Sequence, residues 1–224
     1  MALVGIYDGI SARLKASGEY VWPLALRLIM FWEFWESGLV KLRGENWFQH
    51  IPTNDWVKGF PFPVSVMPND FNWFFATWGE LVFSVMVLLG LFTRVSAFGL
   101  IIFTAVATSA VHWPADWSSL GELWNGYAIS VKDGAGNYKL PLLFVLMLLP
   151  LVFHGGGKLS LDRVLLKLTG RADRAADTIG DLAAAGLALL VIGLPTVMVE
   201  EVWGITLLVL AAACLAMPLL RNRS

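Results

Sequence analysis

Long apolar stretches recur along this chain, and the shorter segments between them hold most of its charged residues. Six such stretches lie at about residues 22–42, 71–92, 95–113, 140–154, 180–199 and 202–220. Most are close to the length of about 20 residues that an α-helix needs to cross a bilayer, and the fourth is the shortest. The third, fifth and sixth are apolar on every side, whereas a helix of a soluble protein keeps a polar face. The pattern predicts an all-α, polytopic membrane protein with six spans.

Composition and charge agree with a membrane protein. The chain is 57% hydrophobic and 15% charged, whereas soluble domains average about 45–50% and about 25%. If both termini are cytoplasmic, ten of the 16 Lys and Arg residues fall in inner segments and five in outer ones, with Arg27 inside the first span. Because positive residues concentrate on the cytoplasmic side, we expect this orientation in the inner (plasma) membrane. The net charge of −1 gives no indication of a nucleic-acid partner.

Two segments outside the spans have patterns of their own. Residues 1–20 carry Ile6, Ile10 and Leu14 at helical spacing beside basic residues. This predicts a short amphipathic helix on the inner membrane surface rather than a cleavable signal, and the alternative is a disordered tail. The connection over residues 43–70 is rich in Trp, Phe and Pro. We expect it to fold over the outer end of the helices, although anchoring at the membrane interface explains the same aromatic residues more simply.

Ionisable residues lie inside the first two apolar stretches. The first stretch contains Arg27, Glu33, Glu36 and Lys41, and the second contains Glu80. A charged group within the bilayer costs about 2.5–3.5 kcal/mol even on the lenient insertion scale, so such groups normally face the interior of a helix bundle. We therefore expect these residues to mark a functional site inside the bundle.

Helical geometry groups these ionisable residues with other polar side chains. At about 100° per residue, Glu33, Ser37 and Lys41 form one stripe, and all the polar groups of the first span fall on one half of the helix. Two further polar stripes consist of Thr77, Glu80 and Ser84, and of Thr104, Thr108 and His112. Three helices with polar faces predict a shared internal cavity that opens to the outer side, with Arg27 apart from it near the inner side.

Two interpretations of this cavity stay open. The carboxylates of Glu33, Glu36 and Glu80 outnumber the basic groups near them, so at least one is expected to remain protonated through desolvation and like-charge repulsion. A protonated carboxyl in an apolar pocket can bind a quinone carbonyl or transfer protons. Alternatively, the same residues form a structural network of ion pairs, such as Glu33 with Lys41, or Glu80 with Arg27 or Lys41.

Thiol and metal chemistry receive little support from the sequence. Cys214 is the only cysteine, and thiol–disulfide exchange within one chain needs a pair of thiols. His50 and His112 lack the close spacing that is typical of metal ligands, so no metal site is predicted.

Three ordered motifs give the chain a family resemblance. They are Arg27 with Phe34-x-x-Ser37-Gly38-x-x-Lys41-Leu42, then Trp78-x-Glu80 followed by Gly90-Leu91-Phe92-Thr93-Arg94, and finally Gly156-Gly157-Lys158-Leu159-Ser160-Leu161-Asp162. Together they resemble the DoxX family of small membrane proteins over about residues 22–165. By this resemblance Arg27, Lys41, Glu80 and Arg94 are motif positions, whereas Glu33 and Glu36 lie outside the family pattern.

The resemblance also implies a fold and a range of functions. It implies a four-helix transmembrane bundle, here over residues 21–175, after the inner-surface segment 1–20 and including the aromatic outer loop 43–70. The chain departs from the family by that long loop and by a two-helix transmembrane hairpin over residues 176–224. Family members are associated with thiosulfate:quinone oxidoreductase and other membrane oxidoreductase complexes. Others resemble accessory proteins in operons for metal-binding peptides, and some eukaryotic relatives act as chaperones or cargo receptors.

The leading functional hypothesis is an inner-membrane subunit of an oxidoreductase system with an outward-facing quinone pocket. Glu33, Glu36 and Glu80 would handle protons, while the ligand-binding positions would be Arg27, Lys41, Trp78, Thr108 and His112. The competing hypothesis is a non-enzymatic chaperone, assembly or export accessory protein that binds a membrane or periplasmic client through the aromatic outer loop. A small-solute or metal transporter is a weaker third option, since it needs a second polar pathway on the inner side.

Overall fold

The described chain is built from α-helices. The computed structural model describes residues 2–53, 55–131, 134–170 and 180–221. Its helices are α1 (Ala2–Arg43), α2 (Asn69–Leu89), α3 (Thr93–Ala107), α4 (Leu120–Asn125), α5 (Lys139–His154), α6 (Leu161–Leu168), α7 (Asp181–Val199) and α8 (Glu201–Arg221). In these residues, β pairing is limited to one bridge between Val57 and Pro114. The predicted all-α class is confirmed.

Shorter helical turns complete the connections. Two 3-10 turns, Phe48–Thr53 and Val64–Val66, lie in the connection between α1 and α2. A π-helical turn, Thr108–His112, continues α3. Turns of this kind are frequent at functional sites.

Each of the six predicted apolar stretches contains a helix. By length and composition, three segments of the described chain can cross a bilayer: Asn69–Leu89, Thr93–His112 and Asp181–Val199. Lys139–His154 and Glu201–Met217 are apolar but shorter. The structure therefore agrees with a membrane protein, while the number of six spans stays a prediction.

Helix α1 is longer than the sequence pattern predicted. It continues without interruption from Ala2 to Arg43 and contains Pro23. Residues 1–20 were expected to form a separate surface helix, but the described part of that segment is the first half of α1. At about 1.5 Å per residue, this helix is about 63 Å long, roughly twice the hydrocarbon thickness of a bilayer.

The chain divides into two compact units. The first comprises the described residues of Met1–Gly44, Ala76–Leu100 and Val145–Asp173. Its core contains Met30, Val87, Leu100, Leu148 and Leu151, all at most 1% exposed. Glycines allow the close helix contacts: a Cβ on Gly38 would lie 2.7 Å from Leu81 Cγ, and one on Gly99 would lie 2.5 Å from Phe83 Cε2. Small residues have this role in membrane helix pairs because they let two backbones approach.

The second unit comprises the described residues of Glu45–Phe75, Ile101–Phe144 and Arg174–Ser224. Its core includes Trp113, Leu123 and Tyr138. Helices α7 and α8 pack against each other, and α7 also contacts the π-helical turn. A Cβ on Gly204 would lie 2.2 Å from the backbone nitrogen of Val197, so only glycine fits there. The polar residues 171–177 and the predicted domain boundary at 175/176 lie outside the described residues.

Candidate functional site

Lys41 and Glu80 form an ion pair that links α1 to α2 inside the first unit. Lys41 Nζ donates to both carboxylate oxygens of Glu80, at 2.8 and 3.1 Å, and to the hydroxyl of Ser37 at 2.8 Å. The side chains of Lys41 and Glu80 are only 13% and 8% exposed. An ammonium has three N–H donors, and all three have an acceptor here. Lys41 therefore has no donor left for a ligand while this pair is closed.

Arg27 is buried in the first unit, but its partners are backbone carbonyls rather than carboxylates. Its guanidinium donates to the carbonyl oxygens of Val87 and Leu88 at the end of α2, the first at 2.9 Å. It also donates to those of Gly156 and Leu159, at 3.0 and 2.7 Å. The last carbonyls of a helix lack partners within the helix and carry partial negative charge, which a cation offsets. Arg27 therefore caps α2 and holds the loop before α6.

Asp162 completes this arrangement from the start of α6. Its carboxylate accepts hydrogen bonds from the backbone N–H groups of Phe92 and Thr93, at 2.7 and 2.8 Å, and from the Thr93 hydroxyl at 2.7 Å. Phe92 and Thr93 lie at the start of α3, where a carboxylate stabilises the N-terminus of a helix. Arg94 in turn donates to the carbonyls of Val152 and Phe153 at the end of α5.

The motif residues that carry the family resemblance therefore converge in two clusters of the first unit. We call the Ser37–Lys41–Glu80 group the ion-pair centre, and the group of Arg27, Gly90, Thr93, Arg94 and Asp162 the capping knot. A Cβ on Gly90, whose φ is +65°, would lie 2.8 Å from Arg27 Cζ. The glycine is required there by its conformation and by the close guanidinium.

The predicted inward orientation of Glu33 and Glu36 is wrong. Both side chains are exposed on α1, whereas Met30 and Phe34 are buried. The buried face of α1 follows Arg27, Phe34 and Lys41, and ideal geometry places Glu33 about 100° and Glu36 about 160° from its centre at Phe34. The polar residues of α1 do fall on one half of the helix, but the face that packs against the rest of the first unit is narrower than that half. Glu33 and Glu36 lie outside this packed face. Neither carboxylate belongs to the ion-pair centre.

The remaining predicted ligand-binding residues are Trp78, Thr108 and His112. Trp78 lies on α2 with about half its surface exposed. Thr108 and His112 belong to the second unit, in the π-helical turn. The Thr108 hydroxyl donates to the carbonyl of Thr104 at 2.6 Å, and His112 Nδ1 lies 2.9 Å from Asn137 Oδ1. Among the predicted site residues of the first unit, the structure joins Lys41 and Glu80 directly.

The second unit contains a polar cluster that the sequence did not indicate. Glu200, between α7 and α8, accepts hydrogen bonds on Oε1 from Lys58 Nζ, Trp113 Nε1 and Trp117 Nε1, at 2.7, 2.8 and 3.1 Å. Burial raises the pKa of Glu200, but these hydrogen bonds and the Lys58 charge outweigh burial and leave the pKa below its ordinary value. The sequence feature that could have predicted this cluster is an acidic residue in the tight turn between two apolar stretches, in a chain with a tryptophan-rich connection around Trp113 and Trp117.

Comparison with known proteins adds a family and one relative. The sequence profile of the DoxX family matches residues 22–113. An uncharacterized protein of Haemophilus influenzae is 40% identical over 156 residues, which cover 70% of this chain and 91% of the relative. No solved structure matches the chain.

Proposed function

Because this chain belongs to the DoxX family of membrane proteins, we propose that it is a non-enzymatic accessory subunit that binds a partner protein at the membrane. The activity would then be that of the partner, and this chain would assemble, hold or deliver it.

One observation carries this proposal: the inward-facing polar groups of the predicted site are bonded to the chain itself. The three donors of Lys41 are all in use, Arg27 is bound to four carbonyls, and Thr108 and His112 have neighbouring acceptors. A binding site for a polar small molecule needs convergent groups that are available to the ligand. The ion-pair centre instead has the features of a structural pair that fixes the register of α1 against α2.

The aromatic connection between α1 and α2 offers a surface for the partner. Phe62 and Val66 are 79% and 73% exposed. The segment around them is held in place, because the buried Asn72 donates to the carbonyl of Val64 at 3.0 Å and Phe48 packs edge-on against Trp73. A fixed loop that presents apolar side chains is typical of a protein-binding site.

Affinity purification of the tagged chain from its native membranes tests the proposal. We expect one partner at a fixed stoichiometry, lost from the double variant Phe62→Ser/Val66→Ser because the apolar contact is removed. Leu120→Ser is the matched control, since Leu120 is 71% exposed but lies on α4. A partner that the double variant retains at full stoichiometry would contradict a role for this loop.

A quinone-linked oxidoreductase subunit is the second candidate. It is favoured by the low exposure of the Lys41 and Glu80 side chains: opening of this pair would free Lys41 to donate to a quinone carbonyl. Quinone extracted at one molecule per purified chain, and lost in Glu80→Gln but retained in Phe62→Ser/Val66→Ser, would favour this candidate over the first. Absence of quinone from the purified native chain would count against it.

The proposal includes the orientation of the chain. We place both termini on the cytoplasmic side of the inner (plasma) membrane, on the distribution of Lys and Arg. Fusing each terminus to a reporter enzyme that is active only outside the cytoplasm tests this orientation. Activity of either fusion would overturn it.

A further inference from the structure

Helix α1 has an exposed face that combines apolar side chains with two carboxylates. The apolar residues are Leu28, Ile29, Trp32 and Val40, with Trp32 60% exposed. Glu33 and Glu36 are exposed among them. We call these six residues the α1 acidic face. Lipid solvates the apolar members of this face well but solvates a carboxylate poorly, so a bare face of this kind is unfavourable within a bilayer.

The two carboxylates lie well inside the apolar part of α1. Counted at about 1.5 Å per residue from Trp22, Glu33 is about 16 Å and Glu36 about 21 Å along a segment of about 32 Å that ends at Arg43. With residues 22–42 as a membrane span, as the sequence predicts, both carboxylates are too far from either end of the span for a glutamate side chain to reach the water interface. A group within the protein assembly must solvate them.

The cations that the structure describes do not serve this purpose. Among the residues that the structure describes, neither Glu33 nor Glu36 forms an ion pair. The two cations of the same helix segment, Arg27 and Lys41, are bonded on the buried face of α1 to carbonyls and to Glu80. The charge on the α1 acidic face is left for a partner.

Resting on the proposed partner-binding function, we infer that the α1 acidic face binds a transmembrane helix of another protein that carries an arginine opposite Glu33 and Glu36. The two carboxylates are three residues apart, which separates them by about 4.5 Å along the helix and about 60° around it. The planar fork of one guanidinium can bond both, and it can also stack on Trp32. A lysine ammonium fits this double acceptor and the aromatic ring less well.

A second copy of this chain does not meet the same requirement. A two-fold dimer through the α1 acidic face would bring four carboxylates together without a cation, because each copy presents the same residues. Charge complementarity therefore selects a different, basic helix.

Binding of designed peptides to the purified full chain tests this inference. The probes are leucine–alanine transmembrane peptides of about 21 residues with a central Arg, Leu or Glu, labelled for energy transfer in phosphatidylcholine vesicles. We expect the Arg peptide to bind about tenfold tighter than the Leu peptide. The variant Glu33→Gln/Glu36→Gln is expected to remove that preference, and Glu45→Gln, an exposed glutamate beyond the end of α1, is expected to keep it.

Charge exchange protects the test against a folding artefact. A chain with Glu33→Arg/Glu36→Arg is expected to prefer the Glu peptide, and a misfolded chain would bind no peptide selectively. Equal binding of the Arg and Leu peptides, or an Arg preference that survives Glu33→Gln/Glu36→Gln, would overturn the inference. Cross-linked homodimers that depend on Glu33 and Glu36 would overturn it in favour of a second copy. If the peptides show no Arg preference but the native partner is still lost in Phe62→Ser/Val66→Ser, this inference is wrong and the proposed function is still supported.

Discussion

At the residue scale, the role of each charge follows from the acceptors and donors around it rather than from its depth in the membrane. Lys41 and Glu36 are five residues apart on one helix, yet Lys41 is held by Ser37 and Glu80 while Glu36 is exposed. A charge that is satisfied within the chain contributes to its stability. A charge that is left exposed on an apolar face is available for recognition.

The first prediction concerns the ion-pair centre. Glu80→Gln should lower the free energy of unfolding by about 3 kcal/mol, because the Lys41 ammonium is left without its counter-charge at low exposure. The double variant Lys41→Met/Glu80→Leu should recover most of this loss, since apolar residues of similar volume need no desolvated partner. Denaturant titration in detergent micelles measures both. If Glu80→Gln is as stable as the native chain, the ion-pair centre is not structural.

At the element scale, the helices of the first unit are positioned by close contacts and by their ends. Gly38 lets α1 approach Leu81 on α2, and the capping knot ties the end of α2 and the start of α3 to the loop before α6. Because these end groups lie in the tight turns of the chain, a small set of residues fixes several helix termini at once.

Two glycines of α1 should respond in opposite directions to alanine. Gly38→Ala is expected to destabilise the chain by about 1–3 kcal/mol, because its Cβ would overlap the buried Leu81. Gly18→Ala is expected to stabilise it by about 0.5–1 kcal/mol, since nothing lies within 4 Å of that position and alanine favours the helix. Thermal unfolding of both variants in one detergent checks the prediction, and equal shifts would contradict the close contact.

Hydropathy predicted the six longest helices of the described chain and only part of its candidate site. A long apolar stretch is a property of neighbouring residues, so each predicted stretch contains a helix. Glu33 and Glu36 were misplaced because spacing along a helix gives angles between residues but not which side packs. Glu200 was missed because Lys58 and Trp113 are 142 and 87 residues away from it in the chain, and no local pattern joins them.

At the scale of the whole molecule, each compact unit has its own hydrogen-bonded polar clusters. The first has the ion-pair centre and the capping knot. In the second, Glu200 joins the turn between α7 and α8 to Lys58 and to Trp113. These polar clusters connect segments that are distant in sequence, so they stabilise the tertiary structure of each unit rather than single helices.

Stability of the second unit should depend on pH through Glu200. Its pKa lies below the ordinary value of 4.5 in the folded chain, so ionised Glu200 stabilises the fold above that value. The contribution is lost as the pH falls through the folded pKa. The unfolding midpoint of the native chain should therefore exceed that of Glu200→Gln at neutral pH, and the difference should vanish in acid.

The neighbouring carboxylate supplies the control for this pH experiment. Glu201 is exposed at the start of α8, so Glu201→Gln removes a neighbouring charge and leaves the bonds of Glu200 to Lys58 and Trp113 in place. This variant should keep the pH-dependent difference from Glu200→Gln. A constant difference between the native chain and Glu200→Gln at all pH values would show that the carboxylate charge has no role.

The capping knot also has a consequence for how the chain is made. The carbonyls that bind Arg27 belong to residues up to 132 positions later, at Leu159. During synthesis α1 is therefore complete well before all four acceptors exist, because Val87 follows Arg27 by 60 residues and Leu159 by 132. Until the loop before α6 leaves the ribosome, two of the four acceptors of Arg27 are missing. The final packing of the first helix is thus a late step of biogenesis, completed by a segment more than a hundred residues downstream.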